Sequence, residues 1–236
     1  MKLSYAVSFL RELLFPVGCA LCGTALLNAE ETRYGLCTEC REKLRLEKTK
    51  RCNFCGRPLI SELDSCISCR ENHESLRPDK TIALFPYYGL YRQLLAAYKF
   101  GKNTCLGHFL AEKIMEAIKL FPFSEMPVLV PVPPRPGKIR KTGWDQIAYL
   151  ALLLEREKSC RILRCLKRLP SETQKKLNRE KRRGNLKGRI VSDKKVPRNL
   201  IIFDDVITTG STFQACSAAL REGGAERVYA LSLFYD

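Results

Sequence analysis

Asn199-Leu-Ile-Ile-Phe-Asp204-Asp205-Val-Ile-Thr208-Thr209-Gly210-Ser211-Thr212 joins an apolar run to two acids and then to a hydroxylated loop. Leu200 to Phe203 is short and continuously apolar, the pattern of a strand buried on both faces. Asp204 and Asp205 are expected at the C-terminal end of that strand, where open α/β sheets hold their ligands. Phe213 to Glu222 carries a helical pattern that stops at Gly223-Gly224, a natural C-cap, and Arg227 to Phe234 reads as a second apolar strand. A helix start behind Thr208, Thr209, Gly210, Ser211 and Thr212 offers a phosphate backbone N–H groups, hydroxyls and a favourable dipole. Gly210 permits close approach of the backbone. The two acids repel phosphate, but they suit sugar hydroxyls or a Mg²⁺ ion. A ligand with a phosphate at one end and vicinal hydroxyls beside it satisfies both halves. An Asp-Asp pair alone is more often a solvated turn, so the inference rests on the whole string.

Upstream, Pro170 to Arg189 holds Lys175, Lys176, Arg179, Lys181, Arg182, Arg183, Lys187 and Arg189 against Glu172 and Glu180. Such a run is a solvated basic face, or a contact for nucleic-acid phosphates that gives affinity without sequence readout. It contains no aromatic residue, so base stacking is not indicated. Val128 to Val132 reads as another buried strand, closed by Pro131, Pro133 and Pro134. The basic loop that follows, Arg135-Pro-Gly-Lys138-Ile-Arg140-Lys141-Thr-Gly143-Trp-Asp145-Gln146, feeds a helix running through Glu157. Cations beside glycine at a strand end suit a pyrophosphate, and they also make an ordinary solvated loop; the loop by itself leaves both open. Leu106 to Phe121 and Tyr91 to Phe100 read as helices and Thr81 to Tyr87 as a strand, with a domain boundary at Leu76 to Asp79.

In front of that boundary stand four Cys-x-x-Cys pairs: Cys19/Cys22, Cys37/Cys40, Cys52/Cys55 and Cys66/Cys69. Two such pairs complete a tetrahedral four-sulfur Zn²⁺ site, and Gly23 and Gly56 supply the tight turn after a pair. Spacing allows sequential pairing, with Cys19, Cys22, Cys37 and Cys40 on one metal and Cys52, Cys55, Cys66 and Cys69 on the other; it equally allows a cross-braced pairing. Disulfides need an oxidising compartment, and redox use of the pairs needs a thioredoxin-like context that is missing here. With no open position, both sites read as structural, supplying folding energy to a segment too small for its own core. Cys105, Cys160, Cys165 and Cys216 are expected in the core. Leu3, Val7, Leu10 and Leu14 mark one face of an amphipathic helix, and Arg11 and Glu12 break the apolar run a signal segment would need. No run reaches the length of a membrane span, so a cytoplasmic protein is expected. The 236 residues carry a net charge of +16, which favours polyanionic ligands.

The nine residues Asp204 to Thr212 resemble the phosphoribosyl-pyrophosphate (PRPP) motif of type I phosphoribosyltransferases. The order Tyr87-Tyr-Gly, Lys99-Phe-Gly, Val130-Pro-Val-Pro, Arg140-Lys-Thr-Gly-Trp-Asp-Gln146, Gln174, Leu177, Asn185-Leu-Lys-Gly188 and then the acid pair is similar to the ComF family, linked to DNA uptake in natural competence. That resemblance covers nearly the whole chain. It implies an N-terminal helix and double zinc ribbon over 1–76, and over 77–236 an α/β, type I phosphoribosyltransferase-like parallel sheet with helices on both faces. It also implies PRPP with Mg²⁺, the 5′-phosphate on Thr208 to Thr212, catalytic Asp204 and Asp205 at the ribose, and Lys99, Arg140 and Lys141 at the pyrophosphate. Pro170 to Arg189 corresponds to a hood over the site. Single-stranded DNA and a helicase-like DNA-uptake ATPase are the partners it implies. The family usually shows Arg-Gly-Phe/Tyr-Asn-Gln where this chain has Thr142-Gly143-Trp144-Asp145-Gln146, an arginine lost and an acid gained; Asp145 suits an N-cap instead. Two readings follow: a phosphoribosyltransferase whose acceptor no residue names, or a non-catalytic DNA- or partner-binding protein that senses a ligand through the same fold.

Overall fold

The computed structural model describes residues 17–46, 50–59, 63–71, 77–123, 126–156, 160–169 and 190–236. The amphipathic helix expected before residue 17 and the basic segment Pro170 to Arg189 lie outside the described residues. In chain order the elements are α1 (Ala29–Tyr34), α2 (Thr38–Lys43), α3 (Ile67–Glu71), β1 (Lys80–Pro86), α4 (Gly89–Lys99), α5 (Cys105–Ile118), β2 (Val128–Pro131), α6 (Lys138–Thr142) and α7 (Gln146–Arg156). They continue as β3 (Arg161–Ile162), β4 (Leu166–Arg168), β5 (Ile190–Ser192), β6 (Asn199–Ile207), α8 (Ser211–Glu222) and β7 (Arg227–Tyr235).

Five strands form one parallel sheet in the order β1-β7-β6-β2-β3, while β4 and β5 pair antiparallel beside it. Leu200, Ile201, Ile202 and Phe203 are at most 1% exposed. Each such side chain stabilises the fold by about 1.5–3 kcal/mol relative to exposure. Strand alternation sends Ile201 and Phe203 to a core shared with α4, α5 and α7, and Leu200 and Ile202 to a core shared with α8, β4 and β5. The sheet is therefore covered on both faces. From β2 the chain moves outward to β3, and from β6 it moves the other way to β7. The crevice beyond the adjacent ends of β2 and β6 is the switch point at which such sheets bind ligands.

The central strand is longer than expected. It runs through both acids to Ile207, because the ladder with β7 continues past Asp204↔Ser232 to Ile207↔Tyr235. The basic loop after β2 also contains a helical turn, α6, between left-handed Gly137 and Gly143. The helix after it ends at Arg156, and Glu157 lies outside the described residues. Cys160, Cys165 and Cys216 are buried as expected; Cys105 is only half-buried, at the start of α5.

The two cysteine modules repeat one turn. Gly23 N–H donates to Cys19 C=O and Gly56 N–H to Cys52 C=O, both at 2.9 Å, while Cys19 and Cys52 donate to Thr24 and Arg57 carbonyls at 2.8 Å. The first module packs on the α5 side, where Tyr34 hydrogen-bonds Glu112 and meets Phe109 edge-on. The second sits against the sheet edge: Thr81 N–H of β1 donates to Asn53 C=O at 2.5 Å, and Arg51 lies over the Tyr235 ring.

Gly23 and Gly56 both have φ in the left-handed region, but a Cβ on Gly56 would lie 2.8 Å from Ala83 Cβ, whereas one on Gly23 meets nothing. Gly23→Ala should therefore cost only the backbone strain, about 1–2 kcal/mol. Gly56→Ala should cost measurably more, because it also pushes the second module off β1. Thermal melting of both variants beside the wild type checks this.

Candidate functional site: two cysteine centres and a cleft

The sulfurs of Cys19, Cys22, Cys37 and Cys40 lie within 4.8 Å of one another, and so do those of Cys52, Cys55, Cys66 and Cys69. The structure thus brings together the sequential sets. All these cysteines are free thiols. Backbone N–H groups of Cys40 and Cys66 point at the Sγ atoms of Cys37 and Cys52, the arrangement that steadies a ligating thiolate. Hydrogen bonds from Thr24 draw the Cys22 thiol down to about 6, while burial and neighbouring sulfurs push Cys40 up. Four thiols this close can all ionise only around a cation. An all-sulfur, closed donor set fits a structural Zn²⁺ in each module.

The cleft lies beyond the ends of β2 and β6. Its volume is about 510 Å³, and it is lined by Val132 to Arg135, Lys138, Asp145, Gln146, Arg168, Asp204, Asp205, Thr208 and Thr212, with Lys99 entering from the end of α4. Because the acids sit inside a strand, they point to opposite faces of the sheet. Asp205 shares the side of Ile201 and Phe203. There its Oδ2 accepts from Lys99 Nζ and from Gln146 Nε2, both at 2.5 Å. Burial alone would raise this carboxyl, but the Lys99 ammonium and the Gln146 amide outweigh it and hold Asp205 below its usual range. Asp204 shares the other side. Burial and the adjacent Asp205 charge push it up to about 8, and one of its oxygens accepts from Asp205 N–H at 2.9 Å. One acid is thus held toward its ionised form by its partners and the other is shifted toward its neutral form.

Neighbouring contacts fix these groups. Trp144 Nε1 donates to Lys99 C=O at 3.2 Å and its ring meets Tyr98 edge-on, while Tyr98 O–H donates to Gln146 C=O at 2.7 Å. Lys138 Nζ is held by Asp145 and by Gln146 Oε1. Asp145 Oδ1 accepts from Ile147 and Ala148 N–H at 3.1 and 2.8 Å, so it is the N-cap of α7. Arg168 of β4 lines the cleft, and its buried Nε has no hydrogen-bond partner among the described residues.

Lys99 and the acid pair come together, as do Thr208 and Thr212 on the cleft wall. Thr209, Gly210 and Ser211 turn to a second cavity on the far side of the loop, bounded by the second cysteine module. Gly210, with φ 76°, caps the start of α8. Arg140 and Lys141 stand exposed on α6 and do not line the cleft. Lys138 of the same loop does, because Asp145 draws it inward. Its signal was the Lys-to-Asp spacing across the turn. Arg135 begins the loop and was legible as one of its cations; Arg168 carried no pattern at all.

Residues 10–71 match the double zinc ribbon domain family. Competence protein F of Haemophilus influenzae is 28% identical over 211 residues, 85% of this chain and 90% of that protein. The chain is similar to the ComF competence proteins over most of its length. Competence protein ComFC of Bacillus subtilis is 27% identical over 80% of this chain and 79% of its own, and the DNA utilization protein YhgH of Escherichia coli is 26% identical over 89% and 93%. With the family match, the two sulfur tetrads support two structural Zn²⁺ sites. No helix among the described residues is long and apolar enough to cross a membrane.

Two outcomes follow from this geometry. Metal analysis of the full chain should find a zinc per tetrad, with Cys37→Ser and Cys66→Ser each losing one and the double variant losing both; in a cross-braced arrangement Cys37 and Cys66 share one metal, so the double variant would keep the other. The Asp204 carboxyl, about 8 when folded, is near 3.9 when unfolded. Between those values the folded state binds the extra proton, so stability falls as pH rises through that window. Asp204→Asn removes this dependence and should melt higher than wild type, with the gain larger at pH 8 than at pH 5. Melting curves at the two pH values measure it.

Proposed function

We propose that the cleft binds PRPP or a related phosphorylated ribose, and that the protein is a phosphoribosyltransferase-like member of the DNA-uptake machinery, acting on transforming single-stranded DNA. The observation that carries this reading is the placement of Asp204 and Asp205 at the switch-point cleft, directly before a hydroxylated loop that starts α8. The names of the competence and DNA utilization relatives support the cellular role.

In this reading the loop holds the 5′-phosphate with N–H groups and hydroxyls. Asp204, shifted toward its neutral form, hydrogen-bonds the ribose hydroxyls. Asp205, kept ionised by Lys99 and Gln146, stabilises the positive charge that develops on the ribose ring as the bond from C1 to the pyrophosphate oxygen breaks. An acceptor nucleophile forms the new bond at C1, and pyrophosphate departs toward Arg135, Lys138 and Arg168. Oxygen donors beside a cation-rich wall fit a Mg²⁺ that arrives with the diphosphate, where it would neutralise the leaving group.

One observation favours the alternative of binding without turnover. Lys99 and Lys138, two of the cleft's cations, are each already bonded to a carboxylate, which leaves less charge for a leaving pyrophosphate. On that reading the fold senses a phosphorylated ribose while the zinc ribbons and basic surface engage DNA or a helicase-like DNA-uptake ATPase.

Calorimetric titration of Mg²⁺-PRPP into the zinc-loaded protein tests the shared part of both readings. Micromolar binding is expected, weakened at least tenfold in Asp204→Ala, a variant that removes the hydrogen-bonding group and keeps the Lys99–Asp205 pair. Equal affinity in wild type and variant would remove the acid pair from the site. Pyrophosphate release in the presence of single-stranded DNA or nucleobases then separates turnover from sensing.

A further inference from the structure

The far side of the hydroxylated loop opens on a second cavity of about 510 Å³. Thr208 to Ser211 and Gln214 form one wall; Phe54, Cys55, Arg57, Cys66 and Cys69 of the second cysteine module form the other, with Arg77 between them. Thr208 lines both this cavity and the acid-bearing cleft. The cavity differs from the cleft in charge: two arginines line it and no carboxylate does. Arg57 is exposed, and its guanidinium has no hydrogen bond or ion pair among the described residues. Arg77 Nη1 donates to Cys69 C=O at 3.2 Å, which ties its position to a residue of the second tetrad. Gln214 Nε2, on the first turn of α8, is a buried donor with no hydrogen-bond partner among the described residues. Such a donor costs free energy unless something accepts from it.

We propose that the second cysteine module is part of the ligand site: the phosphate end of the ligand is held between the hydroxylated loop and Arg57 and Arg77, so that metal loading of Cys52, Cys55, Cys66 and Cys69 and phosphate binding strengthen each other. This rests on the reading of the cleft as a phosphorylated-ribose site and adds a role for the ribbon. Thr209, Gly210 and Ser211, the loop residues suited to a phosphate, face this cavity, and the acids suited to ribose hydroxyls face the other. A phosphorylated ribose laid across Thr208 spans the two. Guanidinium groups provide the charge-assisted hydrogen bonds that a phosphate dianion takes best. The bound anion also neutralises the two cations that line the cavity beside the cysteine tetrad. Coupling of this kind is reciprocal, so ligand must hold the metal as firmly as metal holds the ligand.

The test titrates inorganic phosphate, ribose 5-phosphate and Mg²⁺-PRPP into the zinc-loaded full chain, its Arg57→Gln variant and its Asp204→Ala variant. It then follows zinc transfer to a chromogenic chelator with and without phosphate. Arg57 is exposed, so its glutamine variant should fold, and unchanged melting verifies that. Arg57→Gln is expected to weaken all three ligands by about tenfold. Asp204→Ala should weaken PRPP and ribose 5-phosphate but leave inorganic phosphate unchanged. Phosphate should slow the release of one zinc in the wild type and not in Arg57→Gln. Wild-type PRPP affinity in Arg57→Gln, or zinc release indifferent to phosphate, overturns the proposal and leaves the reading of the acid pair standing. Arg57-dependent phosphate binding with no preference for PRPP supports the proposal and counts against the acid pair. Binding of none of the three ligands overturns both.

Discussion

A carboxylate inside a parallel strand needs a cation, and the bonds from Lys99 and Gln146 to Asp205 meet that need. Asp205 is 8% exposed and stands in the ladder between β6 and β7. Removing one partner of such a buried pair typically costs about 3–5 kcal/mol. The requirement reaches outward through the structure. Lys99 must end α4 at this spot, which Trp144 secures by bonding its carbonyl. Gln146 must begin α7, which Asp145 secures as N-cap. Lys138 is drawn in by the same two residues. A single ionised acid thus fixes the ends of two helices and the loop after β2, and these make up one side of the cleft.

The neighbouring acid lives under the opposite condition. Asp204 has no ion pair among the described residues, lies beside an existing negative charge and is pushed toward the protonated form. Two adjacent aspartates therefore stand in different electrostatic settings, one held toward its charged form and the other shifted toward its neutral form. Strand alternation contributes by bringing Asp205, and not Asp204, to Lys99 and Gln146.

Much of this was legible in the sequence. Leu200 to Phe203 announced a buried central strand by its unbroken apolar run, and the hydroxylated loop with Gly210 announced a helix start. The Cys-x-x-Cys spacing announced two metal centres but not their pairing, because pairing is decided by how the modules fold back, and both arrangements satisfy the same spacing. The opposite facing of the acids was hidden by the assumption that the strand stopped at Phe203. Polar residues normally end a buried run, and only the ladder to Tyr235 shows that this one continues. Arg140 and Lys141 looked equivalent to Lys138 in the chain; the helical turn of α6 separates them, turning Lys138 to Asp145 and the others to solvent. Arg168 lies on a three-residue strand with no periodicity to read. The second cysteine module's place beside the loop is a tertiary fact, set by the close approach of Gly56 to Ala83 and by the bond from Thr81 to Asn53.

The central claim is that the acid pair and the hydroxylated loop serve one ligand. A crystal structure of the zinc-loaded protein grown with ribose 5-phosphate tests it most directly. The account predicts the phosphate on the loop at Thr208 to Ser211 and the ribose hydroxyls within hydrogen-bond distance of Asp204 or Asp205. A sugar phosphate bound elsewhere, with the acid pair facing only solvent, would contradict it.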